Sequence, residues 1–221
     1  MVFVIAGFCA IGFLVGGIPF GYLTGRLVLK DDIRKHGSGN IGATNVGRIL
    51  GWKWGSGVLF LDALKGLLPT LAAKLILNQR GSEELINLAA ILTGICCILG
   101  HMYPIWLRLR GGKGVATGLG VVLVIAPLAS GVALAVFLIV FALKRIVGLA
   151  SVVAAVAFSI TQLVRLGNDA WTFEQLPMTL FSTLVPALIV WKHRSNLVRI
   201  LRGDEPPMKM RSMDETRDAG E

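Results

Sequence analysis

The chain is 221 residues long, 54% hydrophobic and 16% charged, with a mean hydropathy of +0.71. A soluble domain carries about 25% charged residues, so this composition excludes an ordinary soluble fold and points to an all-α integral membrane bundle. The formal charge of +9 would suggest nucleic acid in a soluble protein. In a membrane protein it reports which loops stay in the cytoplasm, so we expect membrane lipids rather than nucleic acid as surroundings.

The first apolar segment, 2–25, has no basic start and no small-residue cleavage site, and reads as a retained span. After it comes HGSGNIGATNVGR, from His36 to Arg48. Such a run favours turns and exposes backbone N–H groups that can line an anion-binding nest, with Arg48 as a guanidinium for phosphate or carboxylate. Gly37, Gly39 and Gly42 match G-x-G-x-x-G, but a dinucleotide fingerprint needs a preceding strand, and here a membrane span precedes it.

The second span, 54–77, carries Asp62 and Lys65 at i, i+3, where two charges in hydrocarbon are expected to pair with each other. The third, 84–107, ends at a bend or stop set by Pro104. Next stands GHMYPIWLRLRGGKGVATG, from Gly100 to Gly118, whose glycines and Lys113 sit where the next helix starts. A helix N-terminus offers free N–H groups, so Gly111, Gly112, Lys113 and Gly114 make a candidate phosphate cradle. It is not a Walker A loop, because Leu107 and Gly114 stand where that pattern requires Gly and Ser or Thr.

The apolar run from Val115 to Leu143 is too long for one ordinary helix and holds Pro127, so we divide it into spans 114–126 and 130–143. The sixth span, 147–164, carries Ser151 early, where a lone serine tends to bond back to its own helix. The seventh, 172–191, ends in KHRSNLVRILRGDE, with His193 and Asn196 at i, i+3 on one helix face. We place one transmembrane domain at 1–202 and a polar tail at 203–221. Cys9, Cys96 and Cys97 read as small apolar fillers, and the three histidines lack ligand spacing, so no metal or other cofactor is expected.

All but Lys65, Lys74, Arg80 and Arg165 of the 22 Lys and Arg residues fall in segments on one side of this seven-span arrangement. That asymmetry predicts an outside N-terminus and a cytoplasmic C-terminus, which requires an odd number of spans.

Taken together, GSGNIGATNVGR at 37–48, DALKG at 62–66, GHMYPIW at 100–106, RGGKGVATG at 110–118, GLAS at 148–151 and HRSNLVRILRGDE at 193–205 resemble the bacterial membrane acyl-phosphate:glycerol-3-phosphate acyltransferases. The resemblance implies a bacterial inner-membrane enzyme with its site facing the cytoplasm. Its substrates would be acyl-phosphate and sn-glycerol 3-phosphate, and its products lysophosphatidic acid and phosphate, in an early step of phospholipid synthesis. It implies that Ser38, Arg48, Lys113 and His193 surround the reacting centre. It also implies that Asn40, Thr44, Asn45, Gly111, Gly112, Gly114, Ser151 and Asn196 shape the substrate sites. Where the family commonly has Phe-Lys before GGKG, this chain has Leu109 and Arg110, and Ser195 stands where Glu is common. These departures bear on substrate preference more than on the reaction. No nucleophile–base dyad is evident, so direct transfer without an acyl-enzyme is expected. A transporter of a phosphorylated metabolite would share the spans and basic loops, and product formation separates the two.

Overall fold

A computed structural model describes residues 1–78 and 81–208. Among them the fold is all-helical, with no strand. The helices are α1 (Val2–Gly16), α2 (Phe20–Thr24), α3 (Ala43–Leu50), α4 (Trp52–Leu77), α5 (Glu83–Met102), α6 (Val115–Ile125), α7 (Pro127–Lys144), α8 (Val147–Leu166), α9 (Leu176–Lys192) and α10 (Arg194–Leu201). Among the described residues, four helical rods are long and apolar enough to cross a membrane: Val2–Leu29, Glu83–Leu107, Pro127–Lys144 and Val147–Trp171. Large apolar side chains are exposed on these rods, such as Leu27, Ile139, Leu143 and Ile160, and on α4 and α9, such as Leu75 and Leu184. Water would penalise such a surface, and lipid does not.

The first span is broken where one continuous helix was expected. Pro19 has no N–H and excludes helical backbone before it, so α1 stops at Gly16 and α2 restarts at Phe20. A wide turn at Gly25–Leu29 and left-handed Lys30 (φ 56°) finish the segment. The third span stops at Met102, just before Pro104 as expected, and Pro104 opens a short 3-10 turn. The long run 115–143 is interrupted at Ala126 (φ −145°, ψ 64°), and Pro127 occupies the first turn of α7, where its missing N–H has no cost. The 11 residues of α6 rise roughly 16 Å, about half the hydrocarbon thickness.

Helix α5 is the central pillar, with 61% of its most apolar window buried inside the bundle against 17% for α7. Ile91, Cys97, Ile98 and Met102 of α5 pack with Val121, Ala129, Phe158, Phe181 and Ile189 of the surrounding helices. In lipid there is little hydrophobic gain from joining helices, so close backbone approach at small residues holds them. Gly12 and Gly16 of α1 lie on Thr93 and Cys97 of α5, and Gly100 of α5 lies on the Phe13 carbonyl. Gly66 of α4 meets the Thr117 carbonyl of α6, while Gly120 of α6 meets the Ala63 carbonyl of α4. The Asp62–Lys65 pair expected within α4 is present at 2.7 Å, with both side chains 2% exposed.

The connections after α2, between α5 and α6, between α7 and α8, and after α9 meet at one end of the bundle. Residues 203–208, assigned by sequence to the polar tail, lie against that end: the Met208 N–H donates to the Arg145 carbonyl at 2.8 Å, and Met208 is buried. The rest of the tail, 209–221, and Arg80 of the outside count lie outside the described residues.

A Cβ at Gly16 would stand 2.7 Å from Cys97 Cα, whereas one at Gly57 meets nothing within 4 Å. Gly16→Ala is therefore expected to cost about 1–3 kcal/mol by overpacking. Gly57→Ala is expected to be neutral or stabilising by up to about 1 kcal/mol, since Ala is the better helix former. Unfolding midpoints of the two variants in the same detergent check the pair.

Candidate active site

The loop between α2 and α3 is organised by one buried amide. Asn45 is 1% exposed. Its Oδ1 accepts from the Ser38 N–H at 2.8 Å, and its Nδ2 donates to the carbonyls of Ile33, His36 and Asn40 at 3.3, 3.1 and 2.8 Å. Gly37 (φ 58°) lets the chain turn against that amide, for a Cβ there would collide with Asn45 Oδ1. Asn40 Oδ1 accepts from the Gly42 N–H at 2.8 Å and starts α3, which carries Thr44 and Arg48 toward the centre of the bundle end. Asn45 thus spends its polar atoms on the loop, and Ser38, Asn40, Thr44 and Arg48 are what the loop presents.

The glycine turn behaves differently from the expected cradle. The Gly111 N–H donates to the Met102 carbonyl at 3.2 Å and the Gly112 N–H to the His101 carbonyl at 3.1 Å. These amides cap the open carbonyls at the end of α5 and are not free for an anion. Glycine is needed because a Cβ on Gly111 would meet the His101 carbonyl and Pro104, and one on Gly112 would meet the His101 ring. The anion-facing groups come one step later. Gly114 (φ 83°) turns the chain into α6, and Lys113, Gly114, Val115 and Ala116 line the cavity at the helix N-terminus. Amides of a first helical turn have no intrahelical acceptor and favour negative charge.

The third side comes from α8, α10 and the chain after it. Ser151 Oγ donates to the Val147 carbonyl at 2.8 Å, as a helical serine tends to, while still lining the cavity. A Cβ on Gly148 would stand 3.1 Å from Asn196 Nδ2, so this glycine makes room for Asn196. Asn196 Oδ1 accepts from Lys113 Nζ, and its Nδ2 donates to Glu205 Oε1 at 2.7 Å. Glu205 Oε2 in turn accepts from Arg199 Nε at 2.6 Å.

These walls line one cavity, partly open to solvent. A neighbouring recess is lined by Ser38, Asn40, Gly111, Gly112, Lys113, Lys192 and Arg199. All twelve residues singled out from the sequence border one or the other. The structure adds residues to which sequence reasoning gave no role here: Asp62 and His101 below, Glu205, Pro206 and Met208 above, and apolar Leu59, Phe137 and Val147 at the side. Glu205 stands inside the quoted tail motif, and nothing in its spacing tells that it returns to Asn196. Leu59 and Phe137 resemble any other apolar helix residue.

The electrostatics suit an anion. Burial, with Arg199 and Arg48 nearby, lowers the Lys113 ammonium to about 8, against the opposing pull of Glu205. Burial and the adjacent Lys113 charge bring His193 down to about 4, so its imidazole is neutral at pH 7. His193 Nδ1 lies 2.8 Å from the Ile189 carbonyl. A carbonyl only accepts, so Nδ1 carries the proton and Nε2 keeps a lone pair for a substrate donor. The site therefore holds Arg48 and Lys113 for phosphate-like groups, a neutral acceptor in the same cavity, and an apolar flank.

A family model described as glycerol-3-phosphate acyltransferase matches residues 6–203. A glycerol-3-phosphate acyltransferase of Myxococcus xanthus is 42% identical over 195 residues, covering 88% of this chain and 95% of that protein. One from an Anaeromyxobacter species is 41% identical over 201 residues, covering 91% and 95%. The crystal structure of PlsY (YgiH), an integral membrane glycerol 3-phosphate acyltransferase, in its glycerol 3-phosphate form, superposes with a TM-score of 0.81 at 36% identity, covering 93% of this chain and 96% of that one. Its lysophosphatidic acid form gives 0.77 at 35% identity, covering 94% and 96%.

With Lys113 at about 8, a fraction of the protein lacks this charge near pH 8.5, and a bound anion favours the protonated form. Sulfate, which does not itself titrate in this range, is expected to bind with proton uptake at pH 8.5 and with none at pH 6.5. Its affinity should fall as pH rises past about 8. Calorimetry in buffers of different ionisation enthalpy measures the uptake.

Proposed function

The chain belongs to the glycerol-3-phosphate acyltransferase family of integral membrane proteins, and from that premise we propose that it moves a fatty acyl group from an acyl-phosphate to the 1-hydroxyl of sn-glycerol 3-phosphate. The products are 1-acyl-glycerol 3-phosphate, or lysophosphatidic acid, and inorganic phosphate. The observation that carries this reading is one cavity in which Arg48, Lys113 and the start of α6 face the neutral His193, with an apolar flank of Leu59, Val115, Phe137 and Val147.

Both substrates carry a phosphate dianion, so their approach is electrostatically opposed. Two cations and the positive end of α6 offset that repulsion, and the enclosed cavity strengthens each attraction relative to water. The hydroxyl oxygen attacks the acyl carbon, the carbon–oxygen bond to phosphate breaks, and the hydroxyl proton leaves. With its pKa at about 4, His193 is a weaker base than a phosphate group, whose second pKa is about 6. The proton therefore passes to the departing phosphate, while His193 Nε2 accepts a hydrogen bond that orients the hydroxyl. Lys113, pinned by Asn196, holds the donor phosphate and the charge developing on the acyl oxygen. Arg48, with Ser38 and Ser151, holds the acceptor. The acyl chain lies along the apolar flank.

The arrangement of the hydroxyls supports direct transfer. Ser151 Oγ donates to its own helix, and Ser38 is held through its backbone N–H by Asn45. Neither arrangement activates a nucleophile, which needs a base at hydrogen-bond distance. The sidedness proposed with this function, an outside N-terminus and a site facing the cytoplasm of a bacterial inner membrane, is supported by the basic loops that gather at the cavity end.

Purified protein given a long-chain acyl-phosphate is expected to release phosphate only when sn-glycerol 3-phosphate is present, with lysophosphatidic acid formed in equal amount. Lys113→Ala and Arg48→Ala should each lower the rate by about 10²-fold or more, the scale for losing one preorganised charge-stabilising group. Intact-mass measurement after incubation with donor alone should find no acylated protein. Donor breakdown without acceptor, or an acyl adduct, would return the mechanism to an acyl-enzyme, and a well-folded protein forming no product would favour transport.

A further inference from the structure

Three ionisable groups are buried beneath the cavity and take no part in the reaction above. Asp62 and Lys65 on α4 and His101 on α5 are 1%, 3% and 4% exposed. Lys65 Nζ lies 2.7 Å from Asp62 Oδ1, and Asp62 Oδ1 lies 3.6 Å from His101 Nδ1. Burying such a set in an apolar bundle is costly, and α4 and α5 are already joined to their neighbours by glycine contacts that need no charge.

What distinguishes the cluster is where its two ends lead. At one end, the His101 ring fills the space that a Gly112 side chain would take, and the His101 carbonyl accepts the Gly112 N–H. Lys113 is the next residue. At the other end, Lys65 Nζ donates to the Ile18 carbonyl at 2.7 Å, in the break between α1 and α2, and lies 5.5 Å above the Phe20 ring. One residue further on, Gly21 is pressed against Ile41, so closely that a Cβ there would stand 2.9 Å from the Ile41 carbonyl carbon. Ile41 belongs to the loop that presents Ser38 and Arg48. A continuous path of contacts thus runs from Lys113 through His101, Asp62 and Lys65 to the loop of Arg48.

We propose that His101, Asp62 and Lys65 form a buried strut that fixes the separation between the Lys113 turn and the Arg48 loop, and are positioning residues for the two phosphates. The catalytic consequence rests on the proposed acyltransferase reading; the placement of Lys113 does not. The break made by Pro19 takes the Ile18 carbonyl out of a helical ladder, and there it accepts from Lys65 as well as from the Phe20 N–H at 3.2 Å. Lys65 has two acceptors at 2.7 Å, Asp62 Oδ1 and the Ile18 carbonyl, which fix its direction as apolar packing would not, while His101 abuts Asp62 at 3.6 Å without a hydrogen bond.

The test uses the full chain in detergent. His101→Phe keeps the ring volume and deletes both nitrogens, while His101→Gln keeps a donor and an acceptor. Asp62→Asn alone would strand the Lys65 charge, so the second disruption is the D62N/K65Q pair. Two readouts run together: kcat and KM for sn-glycerol 3-phosphate, and the labelling rate of individual lysines by a small amine-acylating reagent. Lys35, whose side chain is 68% exposed, serves as reference. The strut predicts that H101F labels Lys113 severalfold faster relative to Lys35 while Lys65 stays protected. It predicts that kcat falls about tenfold or more with KM changed less than about threefold, and that H101Q restores much of both. D62N/K65Q should show the same Lys113 labelling and the same kcat loss, and it decides the matter if H101F does not fold. Unchanged Lys113 labelling would overturn the strut, as would faster labelling of Lys65 along with Lys113 in H101F, which marks general loosening. Wild-type protein that forms no lysophosphatidic acid, with the labelling pattern as predicted, would sink the function reading and leave the strut standing.

Discussion

Lys113 is held where water would not leave it. Its ammonium is half-buried at the start of α6, where burial lowers its pKa to about 8 against the pull of Glu205, and Asn196, itself held by Glu205, accepts from it. Three separate stretches of chain supply this contact: the turn after α5, the short helix α10, and the residues that return over the cavity. The first is remote from the other two in sequence, with 83 positions between Lys113 and Asn196. Arg199 shares the same Glu205 carboxylate, so one acid aligns two cations and one amide. The arrangement leaves a net positive site whose charges repel each other, as the influence of Arg48 and Arg199 on Lys113 registers. An arriving phosphate relieves that repulsion, which makes the empty site electrostatically poised for an anion.

The scaffold has to bring these stretches together in a solvent that offers no hydrophobic reward for packing helices. It does so with glycine. Gly12, Gly16 and Gly100 join α1 to α5, and Gly66 and Gly120 join α4 to α6. Because α6 is short and its N-terminus lies at the cavity, its close seating on α4 sets the height of Lys113 relative to Asp62 and His101. The glycine contacts therefore position chemistry as well as hold the bundle.

The membrane class, the all-helical build and the three polar segments were legible in the sequence because each has a strong local signature: apolar length, helical apolar runs without strand alternation, and glycine with Asn, Ser and Arg in short runs. The segments meet at one cavity, and the twelve chosen residues border it or its neighbouring recess. What was not legible depends on distance in space. The amides of Gly111 and Gly112 looked available for an anion, and only the position of the α5 carbonyls shows that they are spent. Asn45 was expected among the groups that shape the substrate sites, but that its amide would brace the loop from within, through the Ser38 N–H and the Asn40 carbonyl, depends on where the chain folds back. The break at Pro19 could be suspected from proline chemistry, but its use, exposing the Ile18 carbonyl to Lys65 from 47 positions away, could not.

The placement of the cavity also constrains how the proposed substrates arrive. Its charged side faces the loops and the recess lined by Lys192 and Arg199, open to water, where a soluble phosphate ester approaches down a positive field. Its apolar side is formed by Leu59, Phe137 and Val147. Leu59 and Phe137 sit on helices whose outer faces are otherwise covered with exposed Phe60, Leu138 and Ile139. A long acyl chain drawn through water would expose each methylene at a cost of roughly 0.8 kcal/mol. One sliding sideways from the bilayer past α4 and α7 exposes none. On the proposed reaction the two substrates therefore meet from different phases, and the product, which keeps the acyl chain and gains the soluble headgroup, leaves by the lipid route alone.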